Sequence, residues 1–108
     1  IYRAATRHVH EIDFKGMPLG SVPEFSYEQR KLELSPGDVI MLMSDGFTER
    51  FNPRGETLGY ELAKTVLAEA AQQTAQDIIQ RFVQAGEAWG SGSPQNDDTT
   101  FVVIKVKK

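Results

Sequence analysis

Two stretches of this sequence set carboxylates at the ends of apolar runs. In residues 41–50, MLMSDGFTER, a hydrophobic stretch runs into Asp45-Gly46 and on to Glu49. Near the end of the chain, Asn96-Asp97-Asp98 stands just ahead of Thr99-Thr100 and a second apolar stretch. If the two stretches are neighbouring antiparallel strands, the end of one lies beside the start of the other, and Asp45 and Asp97 meet at one rim of the sheet. Carboxylates brought that close repel, and each raises the pKa of the other unless a cation sits between them. An all-oxygen donor set suits a hard divalent cation, magnesium or manganese. The same residues also suit turns: Asp-Gly is a favoured turn pair, and Asn-Asp-Asp-Thr ahead of a strand reads as an Asx turn. Spacing alone leaves both readings open.

The elements that must position these groups follow from the hydrophobic pattern. Val39 to Met43 is a continuous apolar run, read as a strand buried on both faces and central in its sheet. Ser35-Pro36-Gly37-Asp38 precedes it as a tight turn, with proline fixing φ and glycine taking the strained position. Phe25 to Leu34, with Leu32 and Leu34 on one face by the two-residue period, is expected to be the other strand of that hairpin. Ile1 to Phe14 is expected to hold one or two short strands, and residues 15–20 a glycine- and proline-punctuated loop. After a turn at Asn52-Pro53-Arg54-Gly55, Leu58, Leu62 and Val66 fall four apart beside Ala63, Leu67 and Ala70, so the spacing predicts a helix over 58–73. Thr74 with Asp77 resembles a capping box, and Ile78, Ile79, Phe82 and Val83 form the stripe of a second helix over 75–87. Residues 90–95 read as a flexible connector. Thr100 to Val106 is the final strand, with Val102, Ile104 and Val106 on one face and the lysines on the other. The fold class is α+β, an antiparallel sheet carrying two amphipathic helices.

The whole chain narrows the function classes. Its 108 residues fit at most one domain, and 40% apolar with 25% charged residues is ordinary for a globular protein. A net charge of -3, with basic residues scattered apart from Lys105, Lys107 and Lys108, gives no footprint for nucleic acid or an anionic membrane surface. The absence of cysteine excludes disulfides, zinc-thiolate sites and thiol catalysis. No apolar run is long enough to cross a bilayer, and charges at Arg3, Arg7, Glu11 and Asp13 break any signal-peptide core. A cytoplasmic location is the expectation.

Other residues carry weaker chemistry. His8 and His10 lie two apart and share a face on a strand, but no third ligand stands near them. Arg50 and Arg54 could steer a phosphate or be plain surface arginines. Glu49 reads either as a hydrogen-bonding neighbour of a metal site or as a solvated loop residue. Trp89 continues the second helical stripe and reads as core cover, and Phe25 and Tyr27 as sheet packing or a partner surface.

The run LSPGDVIMLMSDGFTERFNPRGETLG at 34–59, followed by two helices and then NDDTTFVVIKV at 96–106, resembles the C-terminal half of a PPM-type metal-dependent serine/threonine protein phosphatase. It looks most like the bacterial SpoIIE/RsbU-like branch, and the likeness extends back through GMPLG at 16–20. The resemblance implies an α-β-β-α sandwich of which this sheet and its helices are one part, with two Mn2+ or Mg2+ ions at the rim between the sheets. It implies that Asp45 and Asp97 are ligands of one ion. Gly46, Glu49 and Asp98 would lie just outside the coordinating pair, Asp98 turned aside to hold the loop or an outer water. It further implies a phosphoserine or phosphothreonine substrate on a regulatory protein of the anti-sigma-factor-antagonist type. The family's bridging aspartate, in a G-D-x-x-G-H-G motif, has no counterpart here. The sequence is therefore expected to be part of such a domain, inactive by itself and prone to dimerisation or strand exchange. The alternative is a non-catalytic, phosphatase-like interaction module.

Overall fold

The computed structural model describes residues 1–14 and 16–107. Lys15, expected in the loop after the first strands, and Lys108, last of the terminal lysines, lie outside the described residues. In chain order the elements are β1 (Tyr2–Arg3), β2 (His8–Val9), β3 (Val39–Met43), α1 (Asp45–Thr48), α2 (Gly59–Ala70), α3 (Ala75–Gly90) and β4 (Phe101–Lys105). The four strands form one antiparallel sheet in the order β2-β1-β3-β4. An α+β architecture with helices against an antiparallel sheet is what the pattern led us to expect.

The β3–β4 ladder is the long one, pairing Val39 with Lys105 through to Met43 with Phe101. Alternation then sorts the side chains. Val39, Met41 and Met43 from β3, with Phe101 and Val103 from β4, point to the helices. The rings of Phe47, Phe82 and Phe101 meet there at centroid distances of 5.2 to 5.5 Å, tilted or edge-on as aromatic quadrupoles favour. Burying one such side chain stabilises the fold by about 1.5–3 kcal/mol. Helix α2 contributes Ala63, Val66, Leu67 and Ala70 to this core, and α3 contributes Ile78 and Phe82. Thr74 caps α3 through its hydroxyl, which accepts from the Asp77 amide at 3.1 Å. Lys105, on the inward face of β4, donates to the carbonyls of Ala71 and Gln73 just beyond α2, so a cation meets the negative pole of that helix.

Two expectations are corrected. Phe25–Leu34 forms no strand, and the hairpin with Val39–Met43 is absent. The turn itself exists, with Asp38 N–H donating to Ser35 O at 3.0 Å and Gly37 at φ 91°. Its backbone, however, is taken by the other end of the sheet: Gly37 N–H donates to Val106 O, and Val106 N–H to Asp38 O, both at 2.9 Å. On its other side β3 pairs with Tyr2 at Val39. Residues 25–34 keep the alternating pattern of a strand but pair with no strand among the described residues, and Tyr27, Leu32 and Leu34 stay exposed. Nor is β3 buried on both faces. Its outer side chain Leu42 is 55% exposed, beside Val102 and Ile104 of β4 on the same bare face.

Asp38, read from the sequence only as a turn residue, is a buried junction at 2% exposure. One carboxylate oxygen accepts from Ala4 N–H at 2.9 Å, and the other from Ser35 N–H at 2.9 Å and Arg3 Nη1 at 3.0 Å. It thus ties β1, the turn and β3 together. The Ser35 and Ala4 amides, and then the Arg3 guanidinium, hold its carboxyl below the usual carboxylate range against the opposing effect of burial. A depressed folded value means that this stability is present above the ordinary carboxylate pKa of about 4 and is lost as pH falls through the lower folded value. Asp38→Asn is therefore expected to lower the urea midpoint at neutral pH and to flatten its acid dependence. Urea titrations at about pH 7 and about pH 3 check this, and an unchanged acid limb would show that another group controls it.

Candidate metal centre at the rim of the sheet

The β3–β4 ladder ends at Met43 and Phe101, and the two chains then stay together for a few more residues. Ser44 N–H donates to Thr100 O at 3.0 Å, and Thr100 N–H donates to Ser44 Oγ at 2.9 Å. The same Ser44 hydroxyl donates to Asp98 O at 3.4 Å. One antiparallel pairing thus brings the segment of Asp45 against the segment of Asp97 and Asp98.

Beyond Ser44 the chain makes the single helical turn α1, which the sequence reading did not foresee. The turn sorts its residues by face. Asp45 points to solvent, while Phe47, 2% exposed, enters the aromatic core three side chains deep and anchors the turn. Gly46 lies against the opposite segment so closely that a Cβ there would stand 2.0 Å from Asp98 O and 2.8 Å from its carbonyl carbon. Only a residue without a side chain permits that approach. Asn96 clasps the far end of the turn: its side-chain amide donates to Glu49 O and its carbonyl oxygen accepts from Phe51 N–H, each at 3.5 Å.

Asp97 keeps its loop in shape as well as presenting charge. Its Oδ1 accepts from Asp98 N–H at 2.8 Å, and Gln95 Nε2 donates to Asp97 O and Thr99 Oγ1 at 2.7 and 2.9 Å. These local bonds shape the loop without the side-chain bond to the amide two residues on that defines an Asx turn. Asp45, Glu49, Asp97 and Asp98 are all exposed, and the Asp45 carboxylate accepts no hydrogen bond among the described residues. Two such carboxylates on adjoining segments are hard oxygen donors of the kind Mg2+ and Mn2+ take. Among the described residues, no three histidine, cysteine or acidic side chains gather closely enough to hold a metal. The rim offers the donor chemistry of such a site and not a gathered set of ligands.

The remaining candidates lie elsewhere. His8 and His10 are exposed, with ring centroids 6.5 Å apart, near the far edge of the sheet. Arg54 is exposed in the 52–55 turn, whereas Arg50 is half-buried against α3. Phe25 and Tyr27 pack edge-on against each other at 4.8 Å, outside the sheet. Trp89 covers the core as expected and also donates from Nε1 to Arg50 O and Glu56 O at 3.0 and 3.1 Å. Among the described residues, no helix is long and apolar enough to cross a membrane.

The family model described as Stage II sporulation protein E (SpoIIE) matches residues 1–107. The chain belongs to the SpoIIE family. Phosphoserine phosphatase RsbU of Bacillus subtilis (strain 168) is 27% identical to it over 101 residues, which are 91% of this chain and 29% of that protein. The SiaA-PP2C domain of Pseudomonas aeruginosa shares the fold, with a TM-score of 0.69 at 24% identity over 76% of this chain and 34% of that one. The chain spans about a third of the length of the relatives it matches. The likeness to PPM-type phosphatases carried by the ordered motifs stands.

The Gly46 contact gives a direct check on how the rim is held. Gly46→Ala forces α1 away from Asp98 and is expected to cost about 1–3 kcal/mol, the range for overfilling a packed site. Urea denaturation measures it, and a variant as stable as the wild type would show that the two segments do not meet as described.

Proposed function

We propose that residues 1–108 are the C-terminal portion of one PPM-type phosphatase domain that hydrolyses phosphoserine or phosphothreonine on a regulatory protein in the cytoplasm. The observation that carries this reading is the β3–β4 pairing, which sets two exposed carboxylates on adjoining segments inside a family-matched chain. Asp45 and Asp97 would hold one Mn2+ or Mg2+ ion. Such an ion, when bound, supplies Lewis-acid polarisation of a phosphoryl oxygen and a more acidic bound water. The chain's own residues orient that donor pair: Phe47 anchors the Asp45 turn in the core, and Asn96 and Gln95 shape the loop of Asp97. Gly46 allows the close approach, and Glu49 and Asp98 complete the negative rim.

RsbU is by its name a phosphoserine phosphatase, and the likeness supports the same substrate class for the complete protein here. An anti-sigma-factor antagonist is the type of substrate we assign. The second sheet of an α-β-β-α sandwich would cover the bare face of Leu42, Val102 and Ile104. In the 108-residue piece alone that face favours a homodimer. Light scattering at high concentration is expected to show a dimer, and a monodisperse monomer would count against it.

The test of the site is a set of three variants in the complete parent protein. Adjacent residues entering a strand point to opposite faces, so Asp97 and Asp98 cannot serve one ion equally. Asp97→Asn and Asp45→Asn are each expected to weaken Mn2+ binding and turnover severely. Asp98→Asn is expected to cost about 10- to 100-fold or less, as for groups that support a ligand. Calorimetry with Mn2+ and rates on a phosphoserine protein decide it. If Asp98→Asn is the most damaging, the ligand assignment is wrong. If all three are mild, these carboxylates are turn residues and the non-catalytic module is the better reading.

A further inference from the structure

Helix α3 carries two glycines one turn apart, Gly86 and Gly90, although glycine weakens a helix interior. Both are buried, and both face Arg50. A Cβ on Gly90 would stand 2.6 Å from Arg50 Nε and Nη2 and 3.0 Å from its Cζ. A Cβ on Gly86 would stand 4.0 Å from Nη1 and 3.5 Å from the Phe47 ring. The guanidinium therefore lies along bare helix backbone that any other residue at position 90 would occupy. Its charge sits at the end of a helix whose own last turn has no basic residue, next to the negative pole. Its Nε is buried and has no hydrogen-bond partner among the described residues, which packing and the helix pole must offset. A cavity of about 200 Å³ opens beside it, lined in part by Gln95 and Thr99, so the glycine groove is what fixes the arginine on the helix side.

The backbone of Arg50 docks on the same turn of α3, its carbonyl accepting from Trp89 Nε1 at 3.0 Å. Arg50 closes the segment that begins at Asp45, and Gly90 opens the loop that leads to Asp97. The two carboxylate-bearing segments are thus held together by the sheet ladder and Ser44 at one end, by the long Asn96 bonds to Glu49 and Phe51, and by Arg50 on α3 at the other end. We infer that Arg50 is a positioning residue: seated in the Gly86–Gly90 groove, it sets the Asp45 turn against the Asp97 loop. Its meaning for catalysis rests on the metal-site reading proposed above, while the latch itself does not.

The experiment separates the two. Amide hydrogen exchange is followed in the 108-residue protein as wild type, Arg50→Gln, Gly90→Ala and the double variant. Arg50→Gln is expected to speed exchange about tenfold or more at residues 47–50 and 98–100, with the β1 and α2 amides much less affected, as for a local opening. Gly90→Ala is expected to reproduce the pattern, and the double variant to add little, because both remove one contact. A uniform loss of protection across the chain, no change at 47–50 and 98–100, or full additivity would overturn the latch. Where Gly90→Ala does not fold, the Arg50→Gln pattern decides. In the complete parent protein, Mn2+ affinity is then measured with Asp45 and Asp97 intact. Arg50→Gln is expected to weaken it about 10- to 100-fold, as for groups that orient a ligand. Equal affinity in variant and wild type would sink the positioning role while sparing the metal site. A wild type that binds no Mn2+ would sink the metal site and the catalytic role of Arg50, and leave the latch to the exchange data.

Discussion

The rest of the molecule depends on the register of β3 against β4. Five residue pairs fix it, and they decide at once which side chains reach the helices and which segments meet at the rim. A slip of one residue would turn Phe101 and Val103 outward and present Val102 and Ile104 to the helices in their place. It would also separate Ser44 from Thr100, and with them the carboxylates. Burial of the Phe47, Phe82 and Phe101 rings holds the register from the inner side, and Asp38 holds it from the end opposite the rim. Core and site are therefore one construction rather than a scaffold with a site added.

Much of this fold is legible in the sequence because it rests on period and punctuation. The 3.6-residue stripes of α2 and α3 and the apolar run of β3 depend only on neighbours in sequence, as does the Pro36-Gly37 turn. The misreading at Phe25–Leu34 has the opposite origin. Alternation reports that a segment suits a pleated surface, not that a partner strand is free to receive it. Here Val106 and Tyr2 hold the backbone groups that a hairpin needed. The faces of β4 show the same limit. The alternation put Val102 and Ile104 on one side correctly, but which side meets the helices is fixed by Phe101 and its aromatic neighbours.

The candidate site divides in the same way. Asp45, Asp97 and Asp98 announce themselves by residue type and by their place at strand ends, and the pairing that joins their segments follows from two apolar runs. What holds them does not announce itself. The single turn of α1 was hidden under an Asp-Gly turn signal, though Ser44 is a fitting residue to precede a helix. Asn96, Gly46 and Arg50 act across 40 or more residues of chain in contacts such as Phe51 with Asn96 and Arg50 with Gly90. No local rule points to such partners. The one available hint was Gly86 inside the expected helix, since Gly90 fell in the expected connector and the helix in fact runs on to include it.

The position of α2 and α3 between β3 and β4 in the chain also bears on how the protein reaches its fold. Paired residues of the ladder are roughly sixty positions apart, so closing that loop in an open chain carries a large entropic penalty. The two helices lie within the loop and pack on each other through a short connection, which reduces the length of open chain that the ladder must close. Folding by this route forms the helical pair first and the ladder last. On that route the rim that carries the carboxylates takes shape together with the ladder, after the helical pair.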